Sequence, residues 1–397
     1  MKKIRLATSL IASQGQPLVS QRNRFRHTYV LGKTRTGKST FLLNLIKNDL
    51  DNAVVILDPI GSFALKVAGL IDSSRLLYID KNNPIVFNPL QRDEWAVAAK
   101  EFSSVMNECV TITTSTRDST ILMNELILEA FKAFQNEHRT IEYLSNFLRS
   151  EDTRKNHPNI NQFKYWEDFD HRKFGRYIWN EKRESALRVS ARLTAFYEDP
   201  VLRRFTIGDN QFNVSDIVKE KKIVVINLRG LDNDSQVYIG NLVSHAIHSY
   251  YMYDATEASP PLHVYIDEFH RFVNQYFDDM FSQSGKYNIS INLAHQNHLQ
   301  IKDGVLNSIL GNFYTHVVFN CGYDEAKKMA NEYQLRASDF LNLAPYQAFI
   351  KIGNKNHKVQ SFPPPNIKPF QPKTEPPEKT VEEAKPYSFL KNAWITA

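Results

Sequence analysis

Cysteine is almost missing from the 397-residue sequence, which contains only Cys109 and Cys321. Two isolated thiols exclude a disulfide framework and a cysteine-rich zinc site, fit a reducing compartment, and read as packing residues. Long apolar runs are missing as well. No window reaches the roughly 18 to 20 apolar residues that a membrane span needs. The start, MKKIRLATSLIASQGQP, has a basic end but too short an apolar run for a signal peptide. No internal repeat is present. The expected location is cytoplasmic, with any recruitment to a membrane or capsid complex left to a partner.

What remains is ordinary globular material, at 42% hydrophobic, 12% aromatic and 23% charged residues. The length exceeds one average domain, so one large domain with an insertion is expected. Lys and Arg outnumber Asp and Glu by 49 to 43, a formal net charge of +6, and the pI is near 9.0. That balance permits a polyanionic partner without requiring one, because a basic soluble enzyme shows the same numbers.

Residues 25–31 (FRHTYVL) read as a buried strand running into GKTRTGKST, and STFLLNLIKND after it has helical spacing in Phe41, Leu42, Leu45 and Ile46. AVVILD (53–58) and RLLYID (75–80) read as further strands. Strands resume at KIVVINL (222–228), HVYID (263–267), ISINLA (289–294), THVVFN (315–320) and QAFIKI (347–352). Such alternation with helices predicts an α/β fold with a mostly parallel sheet. Residues 91–215 carry long helical patterns instead, for example 121–134 and 185–197. The expected organisation is therefore a discontinuous core of 1–90 and 216–362, a helical domain inserted at 91–215, and a proline-rich extended or disordered tail at 363–397. Phe389 and Trp394 in that tail read as a docking peptide or as part of an unstructured end.

The stretch at 32–40 is the most informative. Gly32, Gly37, Lys38 and Ser39 fit the phosphate-loop pattern G-x-x-x-x-G-K-[ST] in its confirming context of strand before and helix after. Its backbone N–H groups, from Gly32, Lys33, Thr34, Arg35, Thr36, Gly37, Lys38, Ser39 and Thr40, point at the phosphates of ATP. Lys38 is expected at the β and γ phosphates and the Ser39 hydroxyl on Mg²⁺. In LHVYIDEFHRF (262–272) a strand ends in Asp267 and Glu268. An acidic pair at a strand end is often a solvated cap; after an apolar run and downstream of a phosphate loop it reads as a metal ligand, Asp267, and a water-polarising carboxylate, Glu268. Gln296 ends the next strand, either as a γ-phosphate sensor or as an ordinary solvent-facing residue.

This string of motifs resembles the HerA/FtsK superfamily of ring-forming DNA-pumping ATPases, and within it the ATPase domains of conjugative coupling proteins and type IV secretion relatives. The resemblance rests on GKTRTGKST, LDPIGSF (57–63), FNPL (87–90), YIDEFH (265–270), LAHQ (293–296) and LGNFYTHVVFNCGYDEAKKMANEY (310–333), and covers most of residues 25–360. It implies a RecA-like P-loop core, DNA-stimulated ATP hydrolysis, a homo-hexamer with sites between subunits, and Gln296 as the sensor. It also implies a protein partner contacted through the helical insertion or the tail. One departure matters. Relatives often carry an arginine shortly before the glutamine strand that reaches the neighbouring subunit's nucleotide, and here SGKYNIS has Gly285 at that place and Lys286 next. Arg35, bulky in a loop of small residues, and Lys286 thus become candidates for the missing charge. Membrane helices and a β-barrel ahead of the core, found in some relatives, are not seen, so a stripped-down motor is expected.

For DNA contact, QFKYWEDFDHRKFGRYIWNEKR (162–183) mixes Lys164, Arg172, Lys173 and Arg176 with aromatic rings, which suits single-strand binding by charge and stacking. The same pattern equally describes an amphipathic helical surface with its rings packed inward. Arg188 and Arg192 read as a solvated pair with Glu184. The favoured function is an ATP-dependent DNA translocase of a conjugative or other mobile element. Alternatives are a viral packaging motor, an ATP-switched scaffold that moves no DNA, and a P-loop kinase or metabolic ATPase.

Overall fold

The computed structural model describes residues 3–10, 15–71, 74–91, 94–111, 118–134, 139–158, 160–273, 276–297, 301 and 303–372. The tail positions Phe389 and Trp394 and the Cys109 side chain lie outside the described residues. Twelve strands are described: β1 (Lys3–Arg5), β2 (Thr8–Ser9), β3 (Leu18–Ser20), β4 (Thr28–Leu31), β5 (Ala53–Asp58), β6 (Leu76–Ile79), β7 (Ile223–Asn227), β8 (Leu262–Ile266), β9 (Ile289–His295), β10 (Thr315–Val318), β11 (Gln347–Ile352) and β12 (Lys355–Gln360). β1 and β3 form a small antiparallel pair, and the rest form one 10-stranded sheet in the order β2-β12-β11-β10-β4-β9-β8-β5-β7-β6. From β10 to β6 every neighbouring pair is parallel, while β11, β12 and β2 add an antiparallel flank.

The central strands read as unbroken apolar runs because both faces of the sheet are covered. In β5, Ala53, Val55 and Leu57 enter one core cluster and Val54 and Ile56 the other. On the second face lie helix Lys38–Asp49, through Phe41, Leu42, Leu45 and Ile46, and helix Ser62–Ala68, through Phe63, Ala64 and Val67. On the first lie Asn233–Ser249, Tyr276–Gln283, Asp303–Asn312 and Tyr323–Tyr333, and the same cluster continues into the segment between β6 and β7.

Among the described residues that segment contains helices and no strand, from Trp95–Thr111 to Val214–Lys219. FNPL closes its base. Phe87 N–H donates to the Phe205 carbonyl at 2.8 Å, and the Asn88 amide donates to the Arg139 and Gly208 carbonyls, each at 3.0 Å. One asparagine thus ties the entry of the segment to its interior and its exit. Helix Pro200–Thr206 starts where Asp199 accepts from Val201 N–H and Leu202 N–H, with Pro200 supplying the first helical position.

Two sequence expectations shift. The strand placed at 25–31 begins at Thr28, because Gln21–Arg24 forms a short helix and His27 turns at φ 64°. Strand β12 (KNHKVQ) was not expected; as a strand near the sheet's flank it buries only His357 and Val359 and needs no apolar run. In the tail, residues 363–372 run extended along the second face. Lys368 N–H donates to the Gly69 carbonyl at 3.1 Å, and the Phe370 ring lies 4.9 Å from that of Tyr78.

Candidate active site

Strand β4 carries the chain to the C-terminal edge of the parallel strands, where GKTRTGKST turns into helix Lys38–Asp49. Two glycines make the turn possible. A Cβ on Gly32 would sit 2.7 Å from Phe319 Cβ, and Gly37 stands at φ 124° with Tyr346 and Phe319 against it. The loop is tied down by Lys33 N–H to the Asn320 carbonyl and by Tyr346 N–H to the Thr36 carbonyl, each at 2.8 Å. Arg35 takes a left-handed φ of 64° and is exposed. That conformation costs a side-chain-bearing residue about 1 kcal/mol. Lys33 and Thr34 are also exposed, Ser39 and Thr40 are half-buried, and Lys38 is buried with Nζ donating to the carbonyls of Gly32 at 2.6 Å and Lys33 at 3.0 Å.

Strand order then does the assembling. Because β9 lies between β4 and β8, Gln296 at its end stands between the loop and the acidic pair. Thr34 Oγ1 donates to Gln296 Oε1 at 2.7 Å, and Gln296 Nε2 donates to Glu268 Oε1. The amide's orientation follows from these partners. Asp267 N–H is held by the Leu57 carbonyl of β5 at 3.1 Å. Glu268 is left-handed (φ 48°, ψ 47°), so the chain leaves the strand direction at once, a strained turn of the kind found at functional sites. His270 Nδ1 lies 3.5 Å from Glu268 Oε2.

A third carboxylate joins them that the motif reading did not single out. Asp58, at the end of β5, is fully buried and accepts from Ile60 N–H and Ala64 N–H, each at 2.8 Å. The motif LDPIGSF was its only sequence signal. Burial first, then the charges of Asp58 and Glu268, push the Asp267 carboxyl up to about 7 against the pull of Lys38. Burial lowers the Lys38 ammonium, while Glu268 and Asp267 oppose the shift. His270 is lowered by burial against the pull of Glu268. A glycine-shaped cradle, a buried ammonium and crowded buried carboxylates are suited to a polyphosphate and a divalent cation.

Other expected residues lie elsewhere. Lys286 sits before β9, at the opposite edge of the sheet from Gln296, a strand length of roughly 20 Å at about 3.3 Å per residue. It does not reach this chain's own loop. In the 162–183 stretch Trp166 is fully buried with Nε1 on the Glu129 carbonyl, and Tyr165 and Phe174 pack at half-buried positions. Lys173 pairs with Glu167 and Asp168, and Arg172 lies over the Trp179 ring. Lys164 and Arg176 are exposed. Arg188 pairs with Glu184 on the helix surface. Cys321 is buried and its thiol pushed up to about 12 by burial, as suits a packing residue.

The family model described as Helicase HerA, central domain, matches residues 9–247. No curated protein sequence matches the chain. Among solved structures, the bacterial conjugative coupling protein TrwBdeltaN70 in its unbound form is 16% identical, with a TM-score of 0.70 over 94% of this chain and 96% of that one. TrwB in complex with ADP and Mg²⁺ is 17% identical, with a TM-score of 0.69 over 94% and 92%. VirB4 of Thermoanaerobacter pseudethanolicus is 13% identical, with a TM-score of 0.64 over 91% and 96%. At these identities the likeness is one of fold, and the RecA-like P-loop architecture expected from the motifs is the one present.

Proposed function

Because this chain belongs to the HerA helicase central-domain family, we propose that it is an ATP-hydrolysing, ring-forming motor that moves DNA in a conjugative or other mobile element. The observation that carries this reading is the continuous hydrogen-bonded path from Thr34 through Gln296 to Glu268, set between a phosphate loop and buried carboxylates. ATP and Mg²⁺ are the proposed ligands, in line with TrwB structures that hold an ATP analogue and ADP with Mg²⁺. The donor set fits a divalent cation: the Ser39 hydroxyl opens the loop helix, and the buried Asp267 carboxyl, lifted to about 7 first by burial and then by the charges of Asp58 and Glu268, is the kind of group that a cation would hold ionised.

In this reading the loop amides and Lys38 hold the phosphates, and the Ser39 hydroxyl and Asp267 hold the metal. Bound Mg²⁺ supplies charge neutralisation for the phosphates. Glu268 orients the attacking water and accepts its proton, and its hydrogen bond from Gln296 fixes the carboxylate. Gln296 also touches Thr34 of the loop, so departure of the γ phosphate alters a hydrogen bond that Glu268 feels. Arg35 projects from the loop toward solvent, as a charge for a neighbouring copy. The helical insertion at 91–215 and the tail at 363–397, both outside the discontinuous core of 1–90 and 216–362, are the proposed protein-contacting parts.

The test is the ATP hydrolysis rate with and without single- and double-stranded DNA, together with particle mass in the presence of nucleotide. DNA is expected to raise the rate, and nucleotide to bring assembly beyond a dimer. A monomer under all nucleotide conditions, with a rate indifferent to DNA, sinks it.

A further inference from the structure

At the edge of the sheet opposite the phosphate loop, the N-terminal ends of β4, β9 and β10 open into two adjoining cavities of 560 Å³ and 430 Å³ that share Arg26, Gly311 and Asn312. Arg22, Arg26 and Lys286 line the larger one, and among the described residues no carboxylate lines either. All three cations are exposed. Arg26 lies over the Tyr314 ring at 4.4 Å, and among the described residues none of the three makes an ion pair. Lys351 in the smaller cavity is different, since its ammonium is taken by the Glu332 carbonyl at 2.7 Å.

The backbone that presents these cations is held firmly. Between Arg22 and Arg26, Arg24 is buried and bonded to Thr28, Asp49, Tyr265 and Asn292. Phe25 stacks on His263 at 5.8 Å, and a Cβ on Gly285 would lie 2.1 Å from the Phe25 carbonyl oxygen. Glycine at 285 thus lets the arginine-bearing segment close against Lys286. Mutually repelling charges gathered on a fixed, acid-free concave surface cost the fold energy that an anion returns. In the 162–183 stretch, by contrast, Glu167 and Asp168 sit among the cations and neutralise Lys173.

We infer that this cleft grips the phosphate backbone of a nucleic-acid strand, an inference that rests on the proposed reading of the chain as a DNA motor. Exposed long cations strung along two adjoining cavities, without converging buried donors, suit a linear polyanion read by charge and not by sequence. Arg26 is exposed and lies over the Tyr314 ring, and a guanidinium held by its face has its N–H edge left to bind a phosphate.

The experiment is fluorescence anisotropy of labelled single- and double-stranded oligonucleotides across a salt series, with wild type, Arg22→Ala/Arg26→Ala/Lys286→Ala and Lys164→Ala/Arg176→Ala. Removing one phosphate-binding cation makes the slope of log Kobs against log[salt] less negative by roughly 0.7 to 0.9. The triple variant is expected to lose roughly two units of slope and at least about tenfold in affinity near physiological salt, and the double variant to keep the wild-type slope. Wild-type binding with an unaltered slope in the triple variant overturns the cleft and leaves the motor reading standing. The same unaltered slope with ATP hydrolysis lost in the absence of DNA overturns it too, by assigning these cations to a neighbouring copy's nucleotide. A wild type that binds no DNA at any salt overturns the motor reading and the cleft with it.

Discussion

Arg24 is the position at which a single substitution should do most harm to the fold. Its guanidinium is buried and donates to Thr28 Oγ1 at 2.8 Å, Asn292 Oδ1 at 3.0 Å, Asp49 Oδ2 at 2.6 Å and Tyr265 Oη at 3.1 Å. Asp49 ends the helix that begins at the phosphate loop, where a carboxylate opposes the helix dipole, and Arg24 is its ion-pair partner. Arg24→Met keeps the volume and removes the charge, leaving Asp49 buried beside a neutral His263. Breaking one partner of a buried pair costs about 3 to 5 kcal/mol. Asp49→Leu is expected to cost a similar amount by stranding the guanidinium. In the double variant neither charge remains, and its loss should fall short of the summed single losses by about 3 kcal/mol. Urea unfolding followed by tryptophan fluorescence for the four proteins supplies the cycle. Single losses below about 1 kcal/mol, or strict additivity, refute the claim that this pair anchors the loop helix to β8 and β9.

Buried histidines set the acid limit of stability. Burial pushes His27, His263 and His316 down to about 4 from 6.5, so the unfolded chain takes up these protons first. Their contribution is complete above pH 6.5 and is lost as the pH falls toward 4, about 3 kcal/mol per histidine at 1.36 kcal/mol per unit. A urea midpoint that stays level from pH 7 to pH 4.5 contradicts this. Arg35, exposed on the loop, should act on turnover: Arg35→Ala is expected to lower kcat several-fold with nucleotide affinity within about twofold. Calorimetric titration with a non-hydrolysable ATP analogue, set beside steady-state rates, checks it, and an unchanged kcat returns Arg35 to a solvent-facing role.

The parts of this molecule legible in its sequence are those whose signal is local. β5, β7, β8 and β9 announce themselves because burial on both faces forces continuous apolar runs, and the loop of Gly32, Gly37 and Lys38 because its chemistry sits in one short string. Asp58 was illegible as part of the site, since only the pairing of β5 with β8 sets it beside Asp267. Arg24 looks like any surface arginine in the sequence; its partners Asp49, Tyr265 and Asn292 come from one helix and two strands far along the chain. The cleft shows the same limit, because Arg22 and Arg26 meet Lys286 only through the neighbouring starts of β4 and β9. In the 162–183 stretch the alternation of rings and cations was visible, but the direction of the rings was set by packing around Trp166.

Glu268, hydrogen-bonded by Gln296, which also touches the phosphate loop, is the residue proposed to carry the hydrolytic step. The most direct test is to measure single-turnover hydrolysis and nucleotide affinity together for wild type and Glu268→Gln, a substitution that keeps the shape and removes the base. A hydrolysis rate lower by at least about 10² is expected, with nucleotide Kd within about threefold of wild type. Hydrolysis that survives the substitution, or affinity and rate lost in parallel, contradicts it.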